Sequence, residues 1–369
     1  MPDYYIGLIS GTSIDGIDAA LVDFSGNHSR LVEFEYQPFP AALKAAIAAI
    51  SAADAAVPLK TYGALDRQLG GLFAETVNAL LAKARLPAAA ITAIGSHGQT
   101  VYHAPDGDYP FTLQIGDPNV IAELTGITTI ADFRRRDLAV NGQGAPLVPA
   151  FHQAVFSVPG EPRCIINIGG IGNITLLPGN SNDPVIGFDT GPGNGLMDEW
   201  IEHHQGQRYD QNGAWARTGH IQPDWLAALS TDPYFRLPPP KSTGREYFSL
   251  AWLEQSADPT GYRPEDIQAS LCQLTAQTLA DAIQHYAPAT RQAIVCGGGA
   301  HNSYLLELLA QQLPCPVQSS AAFGIHPDHV EAMAFAWLAR QTQLRLPGNL
   351  KEVTGADKAV VLGGIYPAC

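Results

Sequence analysis

Asp189 stands in the run Gly187-Phe188-Asp189-Thr190-Gly191-Pro192-Gly193-Asn194-Gly195, a carboxylate between an apolar stretch and a glycine-rich turn. At a strand end, facing a turn and a helix N-terminus, it suits a general base beside a phosphate. A helix-capping aspartate is the ordinary use of the same pattern. A second segment, Ser10-Gly11-Thr12-Ser13-Ile14-Asp15-Gly16-Ile17-Asp18, offers exposed amides and the hydroxyls of Thr12 and Ser13 to phosphate oxygens. Its carboxylates suggest Mg²⁺ near those phosphates, with Asp15 as the candidate holder, directly or through water. The spacing Gly11 to Gly16 begins like a Walker A loop, but Ile17-Asp18 stands where Lys-Ser/Thr is required, which excludes a P-loop NTPase. Read alone, the segment is equally a tight hairpin turn with Asp15-Gly16 as its turn pair.

Two further glycine turns follow apolar runs. Asn167-Ile168-Gly169-Gly170-Ile171-Gly172-Asn173 leads into Ile174-Thr175-Leu176-Leu177, a strand, whereas a dinucleotide fingerprint needs a helix there. Cys296-Gly297-Gly298-Gly299 leaves room for a flat ligand, such as a purine or its ribose, against the backbone. Tight strand-helix packing explains that triplet as well. Four such turns in one chain point to one nucleotide bound between two domains.

The elements that position these turns read as strands and helices in alternation, so the class is α/β. Ile6-Gly7-Leu8-Ile9, Cys164 to Ile168 and Ala293 to Cys296 are short buried strands. Apolar residues at Leu65, Leu69, Leu72, Phe73, Val77, Leu80 and Leu81 have helical spacing, predicting a helix over 65–84. Helices are also predicted over 41–56, 196–203, 266–286, 304–313 and 329–340. A strand-turn-strand near the start and another from Ile165 to Leu177 are formal echoes, as in a duplicated domain with a central cleft. The first domain is placed at 1–135, with 346–369 returning to it, and the second at 136–345. The segment from Thr231 to Arg245, with prolines at 233, 238, 239 and 240, reads as a long surface loop.

Composition sets the outer bounds. A chain of 369 residues suggests two or three domains and a core that needs neither disulfide nor metal. With 35 acidic against 21 basic residues, the net charge of −14 disfavours a nucleic-acid partner. No uninterrupted apolar run reaches a membrane span, and Met1-Pro2-Asp3-Tyr4-Tyr5 has no basic leader region. Five scattered cysteines without C-x-x-C spacing suggest free thiols. The expectation is a cytoplasmic protein with no membrane partner. A homodimer is the default on frequency alone.

With these residues in view, the chain resembles the anhydro-N-acetylmuramic acid kinases along essentially its whole length. The most distinctive pieces are Ser10 to Asp18, Ser96-His97-Gly98-Gln99-Thr100, Asp132-Phe133-Arg134-Arg135-Arg136-Asp137, Gly142 to His152, Phe188 to Asn194, Lys241-Ser242-Thr243-Gly244-Arg245-Glu246 and Glu331 to Ala339. The resemblance implies two duplicated actin-like (ribonuclease H-like) α/β domains with ATP in a cleft between them. It implies that 1,6-anhydro-N-acetylmuramic acid is opened by water and phosphorylated at O6, giving N-acetylmuramic acid 6-phosphate and ADP in cell-wall recycling. Asp189 matches the catalytic aspartate and Gly11 to Asp18 the ATP-binding segment. Gly169, Gly170, Gly191, Gly193, Asn194, Gly297, Gly298 and Gly299 are expected at the nucleotide. His97, Gln99, Thr100, Arg135 and Glu331 are expected at the sugar, although a structural hydrogen bond explains His97 as well. Lys241 and Arg245 read as lid residues or surface charges.

Three other readings are distinguishable. A phosphatase of the same fold would direct water at phosphorus and hydrolyse ATP without sugar. A nucleotide switch would need a partner-binding appendage. A glycosidase would need paired carboxylates, which the phosphate-type turns do not call for.

Overall fold

The computed structural model describes residues 2–11, 13–26, 29–52, 55–180 and 182–369. The chain divides into two compact units, Met1–Phe151 with His329–Cys369, and His152–Asp328.

The first unit opens with an antiparallel meander, β1 (Tyr4–Ser10), β2 (Gly16–Asp23) and β3 (Arg30–Pro38). Helices α1 (Ala41–Ser51) and α2 (Leu59–Ala84) lead to β4 (Ile91–Ala104), which lies parallel to β1. β5 (Phe111–Ile115) pairs antiparallel with β4. After α3 (Pro118–Thr125), β6 (Thr129–Ala131) adds parallel to β4 and runs into the short α4 (Phe133–Leu138). The division between the units falls inside α5 (Val148–Phe156).

The stripe read from the sequence is the buried face of α2: Leu65, Leu69, Phe73, Val77, Leu80 and Leu81 join Ile6, Leu8, Ile17 and Leu21 in one core, with Leu72 partly buried against it. The helix begins at Leu59, earlier than predicted, because its first turn is exposed and carries no apolar period to read.

The second unit repeats the plan. β7 (Arg163–Ile168), β8 (Ile171–Leu177) and β9 (Ile186–Pro192) form an antiparallel meander. Helices α6 (Gly195–Gln205), α7 (Pro223–Leu229), α8 (Leu250–Ser256) and the long α9 (Pro264–Tyr286) precede β10 (Gln292–Cys296), which is parallel to β7. α10 (Ser303–Gln312) leads to β11 (Val317–Ser319), parallel to β10. The face of α9 formed by Ile267, Leu271, Leu274, Leu279 and Ile283 is buried with Ile166, Ile174 and Phe188 of the sheet.

The chain then contributes α11 (Val330–Gln343), α12 (Lys351–Thr354) and β12 (Gly364–Tyr366) to the first unit, β12 pairing antiparallel with β6. Strand order is β3-β2-β1-β4-β6 in one unit and β9-β8-β7-β10-β11 in the other. Each is a three-stranded meander whose first strand takes two parallel strands on its far side. This is the duplicated, ribonuclease H-like α/β architecture expected from the sequence.

The domain limits differ from those expected. The structure divides the chain at 151/152 and 328/329, not at 135/136 and 345/346. The reason is α11, which was placed in the second domain but packs on β1 and β4. A Cβ on Gly7 would stand 1.8 Å from the carbonyl oxygen of Ala332, and one on Gly95 would stand 2.1 Å from that of Phe335. Two strand glycines facing the small residues of α11 let helix and sheet backbones approach this closely.

Candidate functional site

In the second unit the predicted glycine turns come together. Gly193 N–H and Gly195 N–H donate to Gly170 O at 3.0 and 3.1 Å, and Asn194 N–H donates to Gly169 O at 2.7 Å. The turn between β7 and β8 is thereby stitched to the start of α6. Gly299 packs on Ile168 and on the Asn194 side chain, and Gly297 holds φ +76° beside Asn167, a backbone state that suits glycine. Gly298 and Asn194 line a cavity of about 570 Å³ with Asp198, Asp210, His301 and Asn302. Burial pushes the Asp198 carboxyl up to about 7, against the pull of Arg245. Arg245 lies across the turn, its side chain against Gly170 and Gly195, with Nη2 3.6 Å from a Glu199 oxygen. A cation beside a glycine turn and a helix N-terminus is an arrangement that can receive an anion.

Asp189 lies on β9 opposite Asn173 of β8. The register slips between Gly172 and Asn173, so β9 carries an extra residue, Thr190, whose hydroxyl donates to Gly172 O at 3.1 Å. Such a bulge re-aims the neighbouring side chains. Asp189 does not cap a helix: the N-cap position of α6 is held by Asn194. Instead the proline-rich segment closes on it. Thr243 N–H donates to Asp189 Oδ2 at 3.0 Å, Asp189 N–H donates to Lys241 O at 3.2 Å, and the Tyr234 hydroxyl donates to Asp189 O at 2.9 Å. Burial pushes the Asp189 carboxyl up to about 6, partly offset by the Thr243 amide and the Lys241 ammonium. A carboxylate ionised at neutral pH but with raised basicity is what a general base requires.

In the first unit, the turn after β1 is held by Ile14 N–H donating to Gly11 O at 3.1 Å. Ile14 sits at φ +53°. That conformation costs a β-branched residue on the order of 1–3 kcal/mol, and such strain clusters at ligand-binding turns. Gly16, Ile17 and Asp18 belong to β2, and Ser13 is exposed. Thr12 lies outside the described residues. Asp15 is ion-paired with Lys44. Among the described residues no group of three or more His, Cys, Asp or Glu side chains could hold a metal. The oxygen donors of this turn therefore fit Mg²⁺ only as an ion held mainly by phosphate and water, its usual habit.

The residues expected at a sugar divide. His97 is 7% exposed, with Nδ1 2.9 Å from Gly98 O and Nε2 accepting from Arg134 Nε at 2.9 Å. Gln99, 1% exposed, accepts from Ser10 Oγ at 2.6 Å and donates to Thr100 O at 3.1 Å. These bonds engage the His97 nitrogens and the Gln99 amide within the protein, and His97 also lines the cavity of about 240 Å³ that Arg135 lines. Thr100 Oγ1 accepts from Gln114 Nε2 at 3.2 Å. Arg135 pairs with Asp132 at 2.7 Å and lines a cavity of about 240 Å³. Tyr62, Asp66, Gln114, Asp117 and Tyr366, none of which the sequence singled out, line it too. Their signal is scattered over α2, β5, the N-cap of α3 and β12, and emerges only on folding. Glu331 stands in the first turn of α11, where desolvation pushes its carboxyl up against the pull of Arg134.

The family model described as anhydro-N-acetylmuramic acid kinase matches residues 3–368. The anhydro-N-acetylmuramic acid kinase of Pasteurella multocida (strain Pm70) is 51% identical over 368 residues, covering 99% of this chain and 97% of its own. That of Xylella fastidiosa (strain Temecula1) is 50% identical over 368 residues, covering 99% and 96%. Among solved structures, a ROK family glucokinase from Streptomyces griseus in complex with glucose and AMPPNP aligns over 92% of this chain and 99% of its own, at 15% identity and a TM-score of 0.40. On the family match over nearly the whole chain and relatives at half identity, the chain belongs to the anhydro-N-acetylmuramic acid kinase family and is a kinase.

Proposed function

We propose that this kinase uses ATP to open 1,6-anhydro-N-acetylmuramic acid with water and to phosphorylate its O6, giving N-acetylmuramic acid 6-phosphate and ADP. The observation that carries the reading is the setting of Asp189, buried on β9, bonded by the Thr243 amide and raised to about 6. In the anhydro sugar O6 is part of an acetal and bears no proton. Asp189 takes a proton from water as that water attacks C1. The C1–O6 bond breaks and its electron pair stays on O6. O6 then attacks the γ-phosphorus, ADP departs, and Asp189 releases its proton to solvent. The charge of the transferring group calls for positioning more than covalent help.

Residues Gly11 to Asp18, Gly169, Gly170, Gly191, Gly193, Asn194 and Gly297 to Gly299 are the ATP-binding segments in this reading, and Arg245 faces the phosphates. Mg²⁺, when bound, would neutralise phosphate charge, with Asp15 holding it directly or through water. Arg135 is the candidate partner for the lactyl carboxylate, and Glu331 for the sugar near C1. No helix among the described residues is long and apolar enough to cross a membrane. We place the reaction in the cytoplasm, where the sugar would meet ATP.

The test uses purified protein, Mg-ATP and the anhydro sugar in ¹⁸O-labelled water. Sugar monophosphate labelled at C1, abolished in Asp189→Asn, supports the reading. Label in free phosphate without sugar phosphate would make the protein an ATPase and overturn it.

A further inference from the structure

A cavity of about 590 Å³ lies in the second unit between the edge strand β9, the helix α9 and the segment that follows α7. Small-molecule sites occupy roughly 300–1,000 Å³. It shares no residue with the cavity that Gly298 and Asn194 line, and no glycine lines it, which sets it apart from the turns assigned to ATP. Its floor is buried and aromatic: Phe188 is 2% exposed, and Tyr286 meets it edge-on with ring centres 5.2 Å apart. Its rim is polar, with Arg236, Asp281 and His285 exposed and Lys241 half-buried.

The rim carries charge that the protein does not neutralise. Among the described residues neither Arg236 nor Lys241 has a carboxylate within 4 Å, and Asp281 has no basic group within that distance. Lys241 Nζ donates to Tyr234 O at 3.1 Å and lies 4.6 Å from the Tyr234 ring centre and 5.8 Å from that of Phe188. That uses one of its three N–H donors. Asp232, four residues before Arg236, is engaged elsewhere: it accepts from Tyr234 N–H at 2.8 Å, the Tyr247 hydroxyl at 3.0 Å and Trp252 Nε1 at 2.8 Å. Two cations at one edge of a concave site, each without a counter-ion, set a position for an anion. A phosphomonoester, with a charge of about −1.5 to −2 at neutral pH, matches both, whereas a single carboxylate matches one. On α9, Gln277 and Asp281 are four residues apart and share a face, offering an amide and a carboxylate to hydroxyl groups. The ring faces of the floor suit the C–H face of a saturated ring.

We propose that this cavity binds a sugar monophosphate. Arg236 and Lys241 receive the phosphate, Asp281 and Gln277 receive hydroxyl groups, and the sugar ring lies on Phe188 and Tyr286. The proposal does not depend on the role of Asp189, and binding is measured without turnover.

The experiment is calorimetric titration of the wild type, Arg236→Gln and Asp281→Asn with glucose 6-phosphate, with glucose and inorganic phosphate as comparators. Each titration is repeated with the anhydro sugar present. Both substituted residues are exposed, and thermal midpoints equal to that of the wild type check that the variants fold. Saturable binding of glucose 6-phosphate is expected, weakened about tenfold or more in each variant and unchanged by the anhydro sugar. Glucose and phosphate alone should bind at least about tenfold more weakly. Absence of saturable binding overturns the proposal, as does binding that both variants leave intact. Loss of binding when the anhydro sugar is present would move the phosphosugar to another site, and inorganic phosphate binding as tightly as glucose 6-phosphate would reduce the cavity to an anion site. Either result also overturns it.

Discussion

Arg134 donates its Nε–H to His97 Nε2 at 2.9 Å, so the imidazole is neutral with its proton on Nδ1, facing Gly98 O. Burial and the adjacent guanidinium both hold His97 well below the ordinary histidine range, and burial pushes Arg134 down to about 10. Arg134 also donates to Gly144 O at 2.8 Å, so the pair ties β4 to the loop after α4. His97→Ala leaves a crowded guanidinium without its acceptor. A loss of about 1–3 kcal/mol in urea unfolding is expected. An unchanged midpoint would show that the bond contributes nothing.

The raised Asp189 carboxyl gives a pH prediction. A base must be ionised, and this one is held at about 6 by burial. Protonation below that point removes it, so kcat/KM should fall roughly tenfold per pH unit on the acid side and level off above neutrality. A profile flat well below pH 6, with the fold intact by circular dichroism, would remove Asp189 from the base role.

Gly7 tests the docking of α11. A Cβ there would meet Ala332 O at 1.8 Å and Ala336 N at 2.5 Å, both backbone atoms that no rotamer can move. Gly7→Ala should cost roughly 3 kcal/mol or more by forcing helix and sheet apart. Gly71→Ala, where nothing lies within 4 Å, is the control, expected to be neutral or mildly stabilising. Equal thermal midpoints for the two variants would contradict this packing.

Asp137 is fully buried and accepts from Gly144 N at 2.8 Å, Asn349 Nδ2 at 2.6 Å and Thr354 Oγ1 at 2.8 Å. It fastens the segment around α12 to the first unit. Asp137→Ala orphans three donors and should cost about 3–5 kcal/mol. Hydrogen exchange should rise first over residues 346–369, and uniform loss of protection would argue against a local fastening.

The strand-turn-strand echo, the α/β class, the stripe on α2 and the glycine turns were legible in the sequence because each rests on local rules: periodicity, turn chemistry and apolar runs a few residues long. Asp189 was legible for the same reason, as a carboxylate flanked by glycines after an apolar run. What only the tertiary structure decided involves residues far apart in the chain. The segment around Lys241 and Thr243 could be read as lid or surface, and its bonds to Asp189 span more than fifty residues. The bonds of His97 to Arg134 and of Gln99 to Ser10 likewise join residues far apart in the chain. α11 has the same apolar period whichever unit it joins, and backbone clearance over Gly7 and Gly95 settles where it packs. Local preference specifies an element's type, whereas its partners depend on shape and burial across the chain, which no short window of sequence contains.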